Sequence, residues 1–236
     1  MSLFDLACER PWLTARFPKS QTMLSWSLNR PGFARGREVA WLEVGNAELR
    51  DEADPVSWFH RRLAERGLAE AVGLMTARNV ARYERVFACA DDVGVDCVVT
   101  LGLNNGERVG RRIGAHLHPL NAGTINILCA VSRPLTEAAL LEASSLATQA
   151  RTVALVQLGY RRPGQRDAVT GTGTDCIVVA APAGPMPEAF AGMHTAIGEA
   201  VGDAVHRATS AAARAWCAER GEQSMTPSGN APTASC

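Results

Sequence analysis

Three short apolar runs, at 71–77, 85–90 and 95–103, follow one another with too few residues between them to hold a helix. Parallel neighbours need a crossover of a dozen or more residues, so this spacing predicts adjacent antiparallel strands. Further strands are expected at 22–29, closed by the turn Arg30-Pro31-Gly32, at 39–44, at 123–131 after a glycine turn, and at 176–181. Helical signals are equally local. Asp54 stands as N-cap before Pro55, with Trp58, Phe59 and Leu63 on one stripe and Gly67 at the end. A long helix is expected over 135–158, capped by Thr136 or Ser132 and closed by Gly159, and a second runs to about Arg220. The fold class is therefore α/β (α+β): a single domain with a layered, mostly antiparallel or mixed sheet packed with two long helices.

With 47% hydrophobic residues the chain can bury a substantial core. Lys plus Arg and Asp plus Glu balance at 24 each, so no net field gathers nucleic acid or an acidic membrane surface. A neutral or amphipathic small molecule is the expected partner. Seven scattered cysteines without CxxC spacing read as free thiols of a reducing cytoplasm. Residues 1–20 hold no continuous apolar stretch, so neither a secretory signal nor a membrane span is expected there. They read as an N-terminal segment lying over a domain at 21–220, and 221–236 as a disordered tail.

The stretch Val169-Thr170-Gly171-Thr172-Gly173-Thr174-Asp175 precedes the apolar run Cys176-Ile177-Val178-Val179-Ala180-Ala181. Two glycines among three threonines let the backbone approach a ligand, and successive N–H groups can converge into an oxyanion site. The alternative is a threonine-rich turn that only joins two elements. Asn126 interrupts an apolar run and either pins a neighbouring loop or faces a ligand. His194, Gly198, Gly202 and His206 recur every fourth residue, which places them on one face if the last helix includes them all. Two glycines there call for a close neighbour, the sheet or a ligand. His116 and His118 lack a third ligand, and no metal is assigned to them.

Four segments in this order, Gly73-Leu74-Met75-Thr76-Ala77, Gly123-Thr124-Ile125-Asn126-Ile127, Thr170-Gly171-Thr172-Gly173-Thr174-Asp175 and Ala191-Gly192-Met193-His194-Thr195-Ala196-Ile197-Gly198-Glu199, resemble the adenosylcobinamide amidohydrolase family. The likeness runs from about Leu24 to Ala208. It implies a cytosolic corrinoid-salvage enzyme with its amidohydrolase domain at 21–220. The implied reaction hydrolyses the amide joining aminopropanol to the corrin ring of adenosylcobinamide, giving adenosylcobyric acid and 1-amino-2-propanol. Some members of the family also act on complete cobamides. The sequence departs from the family pattern at Gln149-Ala150-Arg151, where an acidic residue is expected first, and at Cys176, where a small residue is usual.

Amide hydrolysis needs a nucleophile, donors to the developing oxyanion and an acid for the leaving amine. Backbone N–H groups from Gly171 to Thr174 suit the oxyanion. His194 has the pKa for base and later acid, or else packs on the sheet. Asp175 orients His194, activates water or caps a local turn. Thr174 or Thr172 is a nucleophile only if a base stands beside it. Asn29, Thr76, Asn104, Asn126, Gly171, Thr172, Gly173, Gly198 and Glu199 form the expected binding set for a carboxamide-fringed ring, although Glu199 lies about 140° around the helix from His194. No cofactor is expected beyond the cobalt corrinoid that is itself the substrate; nucleic acid and membrane are not expected partners, and a homo-oligomer is compatible with the composition. Two other readings stand beside this one. The Gln149 departure admits a non-catalytic corrinoid-binding protein, and Thr-Gly-Thr-Gly-Thr resembles the phosphate loop of tubulin-like GTPases, though strand formers follow it and no Walker lysine is present.

Overall fold

Leu13, Ala15, Phe17 and Met23 turn to one side of a strand whose alternate residues Thr14, Arg16 and Thr22 face outward, and this period of two sets the first long element. The computed structural model describes residues 2–45, 48, 54–111 and 123–221. His116, His118 and the tail at 222–236 lie outside the described residues. The elements, in chain order, are β1 (Asp5–Glu9), β2 (Trp12–Ser25), β3 (Gly32–Glu43), α1 (Pro55–Glu65), β4 (Val72–Thr76), β5 (Glu84–Ala90), β6 (Val93–Leu101), β7 (Gly106–Glu107), β8 (Ile125–Val131), α2 (Glu137–Leu158), β9 (Gly171–Thr172), β10 (Cys176–Pro182) and α3 (Ala196–Glu219). A short 3₁₀ turn at Val80–Arg82 links β4 to β5.

The strand order is β4-β3-β2-β10-β8-β6-β5, with β1 beside the first half of β2. The sheet is mixed: β3 with β4 and β8 with β10 are parallel, and the other neighbours antiparallel. Its two halves face each other. Val98, Leu128, Ala130, Val178 and Ala180 meet Leu13, Phe17, Trp41 and Leu74 in an inner core. The other face of β6, β8 and β10 packs Cys97, Val99, Ile127, Cys129 and Val179 against α2 and α3. On the far side α1 covers β3 and β4 with Phe59 and Leu63. The single domain is thus layered helix, sheet, sheet, helix, and β6 and β8 are buried along their whole length because they are covered on both faces.

The helix ends follow the sequence signals closely. Asp54 accepts from Ser57 N–H, Thr136 from Ala139 N–H, and Gly159 closes α2 in the left-handed conformation. Among the described residues no helix is long and apolar enough to cross a membrane.

Two expectations are corrected. Residues 1–20 do not lie over the fold; β2 runs through residue 20 and buries Trp12, Leu13, Ala15 and Phe17. Pro11 and Pro18 obscured that alternation, and Pro18 falls where the β2–β3 register shifts between Arg16 and Gln21, an irregularity that accommodates a proline. The second concerns β4. β5 and β6 pair antiparallel as expected, but β4 lies parallel to β3 at the opposite edge of the sheet. It belongs there because Gly73 is pressed against Phe59 of α1 while Val72 and Leu74 enter the inner core.

Candidate active site

The loop before β10 closes on its own carboxylate. Asp175 Oδ1 accepts from the backbone N–H of Thr172 at 3.1 Å, from the Thr172 hydroxyl and from the Ile125 N–H at 3.2 Å. Asp175 Oδ2 accepts from the same Thr172 N–H at 3.1 Å and pairs with Arg151 Nη1. The loop, β8 and α2 therefore converge on one side chain. Gly171 makes room for this: a Cβ there would stand 2.7 Å from Asp175 Oδ2 and would overlap the Arg151 guanidinium. Burial pushes the Asp175 carboxyl above its usual range, while Arg151, then Thr172 and Ile125, act the other way. A carboxylate offers about four lone-pair sites. These donors occupy them, so of the roles read for Asp175 the geometry carries the local turn.

The loop is fastened again one residue earlier. Thr124 Oγ1 donates to Thr174 O at 2.7 Å, and Thr174 Oγ1 donates to Gly123 O at 3.1 Å. Trp26 Nε1 donates to Asp175 O at 2.5 Å and ties the end of β2 to the same point.

These ties frame a cavity of about 410 Å³ between β4 on one half of the sheet and the first residues of β8 and β10 on the other half. Asn126, Gly173, Thr174 and Asp175 line it, with Trp26 and Leu28 at its side. Asn126 Nδ2 donates to Met75 O across the cavity wall at 2.7 Å. Asn29 is one step back: it donates to Ala71 O at 2.8 Å and accepts from Gly73 N–H at 2.9 Å, holding the start of β4. Thr76 is buried, and its hydroxyl accepts from Arg78 N–H at 3.0 Å. Gly171 and Thr172 likewise seat Asp175 from behind the cavity wall. Burial pushes the Cys176 thiol, also in the wall, up to about 12.

His194 is not brought to this cavity. The parallel strands β8 and β10 each lead into a helix on the same face. The helix starts meet where Glu188 exchanges backbone bonds with Pro134 and Thr136, and Ala191 N–H donates to Glu142. That is the end of β10 opposite Asp175, and the 7 residues of β10 span roughly 20 Å at about 3.3 Å each. His194 also precedes the α3 cap Thr195, so it shares no helix face with Gly198. Gly198 and Glu199 border a separate groove on the outer side of α2 and α3. A Cβ on Gly198 would overlap Gly192 O, so backbone packing explains that glycine. Asn104 accepts from Arg220 near the C-terminal end of α3 and does not line the cavity.

The family model for adenosylcobinamide amidohydrolase (CbiZ) matches residues 2–221. The chain belongs to that family. As an adenosylcobinamide amidohydrolase it is an amide-cleaving hydrolase of corrinoid salvage. No curated protein matches the chain in sequence. Among solved structures it is similar to the PH0078 protein from Pyrococcus horikoshii OT3, with TM-score 0.45 and 11% identity over 85% of this chain and 76% of that one. A Burkholderia sp. beta-aminopeptidase gives TM-score 0.45 and 14% identity over 85% and 78%. The L-aminopeptidase D-Ala-esterase/amidase from Ochrobactrum anthropi, described as a variant of the Ntn hydrolase fold, gives 0.40 and 12% over 89% and 82%.

Two residues that line the cavity, Trp26 and Thr124, and one that holds its loop from α2, Arg151, were not singled out from sequence. Trp26 was read only as part of a strand, Thr124 only as part of a motif, and Arg151 only as part of a departure from the family pattern. Arg151 left a signal, a lone cation in the apolar stretch Ala150 to Leu155 of a buried helix. Gln149, by contrast, donates to Ser145 Oγ at 3.3 Å and borders the outer groove, so its departure leaves the cavity untouched.

Proposed function

We propose that this cavity receives the amide-bearing arm of adenosylcobinamide and hydrolyses it to adenosylcobyric acid and 1-amino-2-propanol, in the cytoplasm. The observation that carries the reading is the cavity itself: a recess of about 410 Å³, roomy enough for an amide-bearing side arm, in a chain of this family, walled by an asparagine, two threonines and an open glycine loop. Asn126 and Thr174 offer the donors and acceptors that a secondary amide requires. We assign the oxyanion to backbone N–H groups at Gly173 and Thr174, because nothing stands within 4 Å of a Cβ position on Gly173 and a carbonyl can come close there. Water adds its hydroxyl to the carbonyl carbon, the C–N bond breaks, and the second proton of water leaves with the amine. Asp175 and Arg151 are positioning residues in this scheme, since the donors around the Asp175 carboxylate, Arg151 among them, hold the loop.

The test is direct. Purified protein is incubated with adenosylcobinamide and the products are followed by mass spectrometry. Equimolar adenosylcobyric acid and 1-amino-2-propanol are expected. Corrinoid binding without either product would replace hydrolysis by sequestration.

A further inference from the structure

Trp26 and Leu28 follow β2, which ends at Ser25, as the chain enters a bend at Leu28, and Ser27 between them is buried. Both large side chains stand at the border of the cavity, 48% and 50% exposed. An exposed tryptophan is usually free to change rotamer, but this one is tethered by its Nε1–H to Asp175 O at 2.5 Å. Its indole is therefore held against the loop at Asp175 while about half of the residue stays open to solvent. Val44 and Met75 continue the apolar border toward β3 and β4.

Size decides what that surface is for. A cavity of about 410 Å³ is in the range that encloses a drug-sized ligand. A corrin macrocycle with its fringe of carboxamide arms is far larger, so only one arm can enter and the ring must remain outside. We propose that the Trp26–Leu28 shelf is the platform on which the flat, largely apolar face of the corrin ring lies, while the amide arm passes inward beside Asn126 and Thr174. This rests on the corrinoid amidohydrolase reading given above. An indole is suited to the task because it offers a large rigid face at little conformational cost, and aromatic anchors of this kind dominate binding energy. The tether from Trp26 to the backbone of Asp175 then couples the ring position to the loop that meets the amide, so one side chain sets the register of arm and macrocycle.

The experiment uses full-length protein, Trp26→Ala and Leu28→Ser. Initial hydrolysis rates with adenosylcobinamide give KM and kcat, and equilibrium dialysis with adenosylcobyric acid, which keeps the ring and is not turned over, reads the platform alone. Trp26→Ala is expected to raise KM and weaken adenosylcobyric acid binding about ten- to thirtyfold, with Leu28→Ser less severe and kcat changed less than KM in both. Trp26→Phe keeps an aromatic face and loses the tether, and is expected to recover most of the binding. Circular dichroism confirms that each half-exposed substitution leaves the fold intact. Wild-type hydrolysis with unchanged KM and unchanged product binding in both variants would overturn the platform and leave the reaction standing. A wild-type protein that neither binds nor hydrolyses the corrinoid would remove the reading on which the platform rests, and the platform with it.

Discussion

Asn126 Nδ2 on β8 donates to Met75 O on β4 at 2.7 Å, so a single buried amide joins the two facing halves of the sheet at the wall of the cavity. Met75 is opposite Leu42 in the β3–β4 register, where its carbonyl lies at the sheet edge and takes its partner from the other layer. Truncation therefore strands an acceptor as well as deleting a donor. Asn126→Ala is expected to lower stability by about 1–3 kcal/mol, the cost of an unsatisfied buried polar group. Urea denaturation measures it. A midpoint equal to wild type would mean that the two layers are held at this point by other contacts, and Asn126 would then be free to serve substrate alone.

Arg151 and Asp175 form a buried pair whose side chains are both about one-tenth exposed. Removing one member leaves a charge buried without its partner, which typically costs about 3–5 kcal/mol, whereas replacing both with apolar or neutral groups costs less. Arg151→Met and Asp175→Asn should each destabilise strongly, and the double variant should lose less than the sum of the two. Thermal and urea unfolding of the four proteins complete the cycle. Additive losses would show that the pair is not coupled and that the loop is held by Thr172 and Ile125 alone.

The elements of this fold were legible where a cap or an alternation was local. Asp54-Pro55, Thr136 and Gly159 announce helix ends within a few residues, and 85–90 with 95–103 form the antiparallel pair that their spacing demanded. What spacing could not convey is which end of the sheet a segment reaches. His194 and Asp175 are separated by little sequence, yet β10 lies between them and carries them to opposite ends. Periodicity assigned His194 to a helix that Thr195 begins just after it. The cavity loop was found from its glycines, but the partner of its carboxylate was not, since Arg151 is 24 positions away and only the β8–α2–β10 crossover brings it back.

Glu43 at the end of β3 accepts from Arg10 and, at 3.1 Å, from the N–H of Val80 in the turn that links β4 to β5. The Arg10 guanidinium, helped by Val80 N–H, holds the Glu43 carboxyl below the ordinary value of 4.5 against the opposing effect of burial. A group whose folded pKa lies below its unfolded one adds stability that is complete above the unfolded value and is lost as pH falls through the folded value. Wild type minus Glu43→Gln should therefore be a constant stability difference from neutrality to about pH 5.5 that shrinks on further acidification. Urea midpoints collected between about pH 7 and 3 check this. A difference that grows toward low pH would reverse the assigned sign and remove Arg10 as the cause.

Gly171 and Gly173 are two residues apart and make opposite demands. A methyl on Gly171 would meet the Arg151 guanidinium and Asp175 Oδ2, both held in place, whereas a methyl on Gly173 meets nothing within 4 Å. The backbone of Gly173 is also outside the left-handed region that disfavours a side chain, so alanine there costs no strain. Gly171→Ala should thus lower the unfolding midpoint and expose the loop to hydrogen exchange. Gly173→Ala should fold with a midpoint equal to or slightly above wild type, because alanine restricts the unfolded chain by about 0.4–1 kcal/mol. Its effect should fall on turnover: the added methyl occupies the space in which the amide carbonyl approaches the loop, and a loss of kcat/KM with intact stability is the expected signature. Full activity in Gly173→Ala would move the reacting carbonyl away from this loop, and an unperturbed midpoint in Gly171→Ala would show that the guanidinium can leave its seat without consequence.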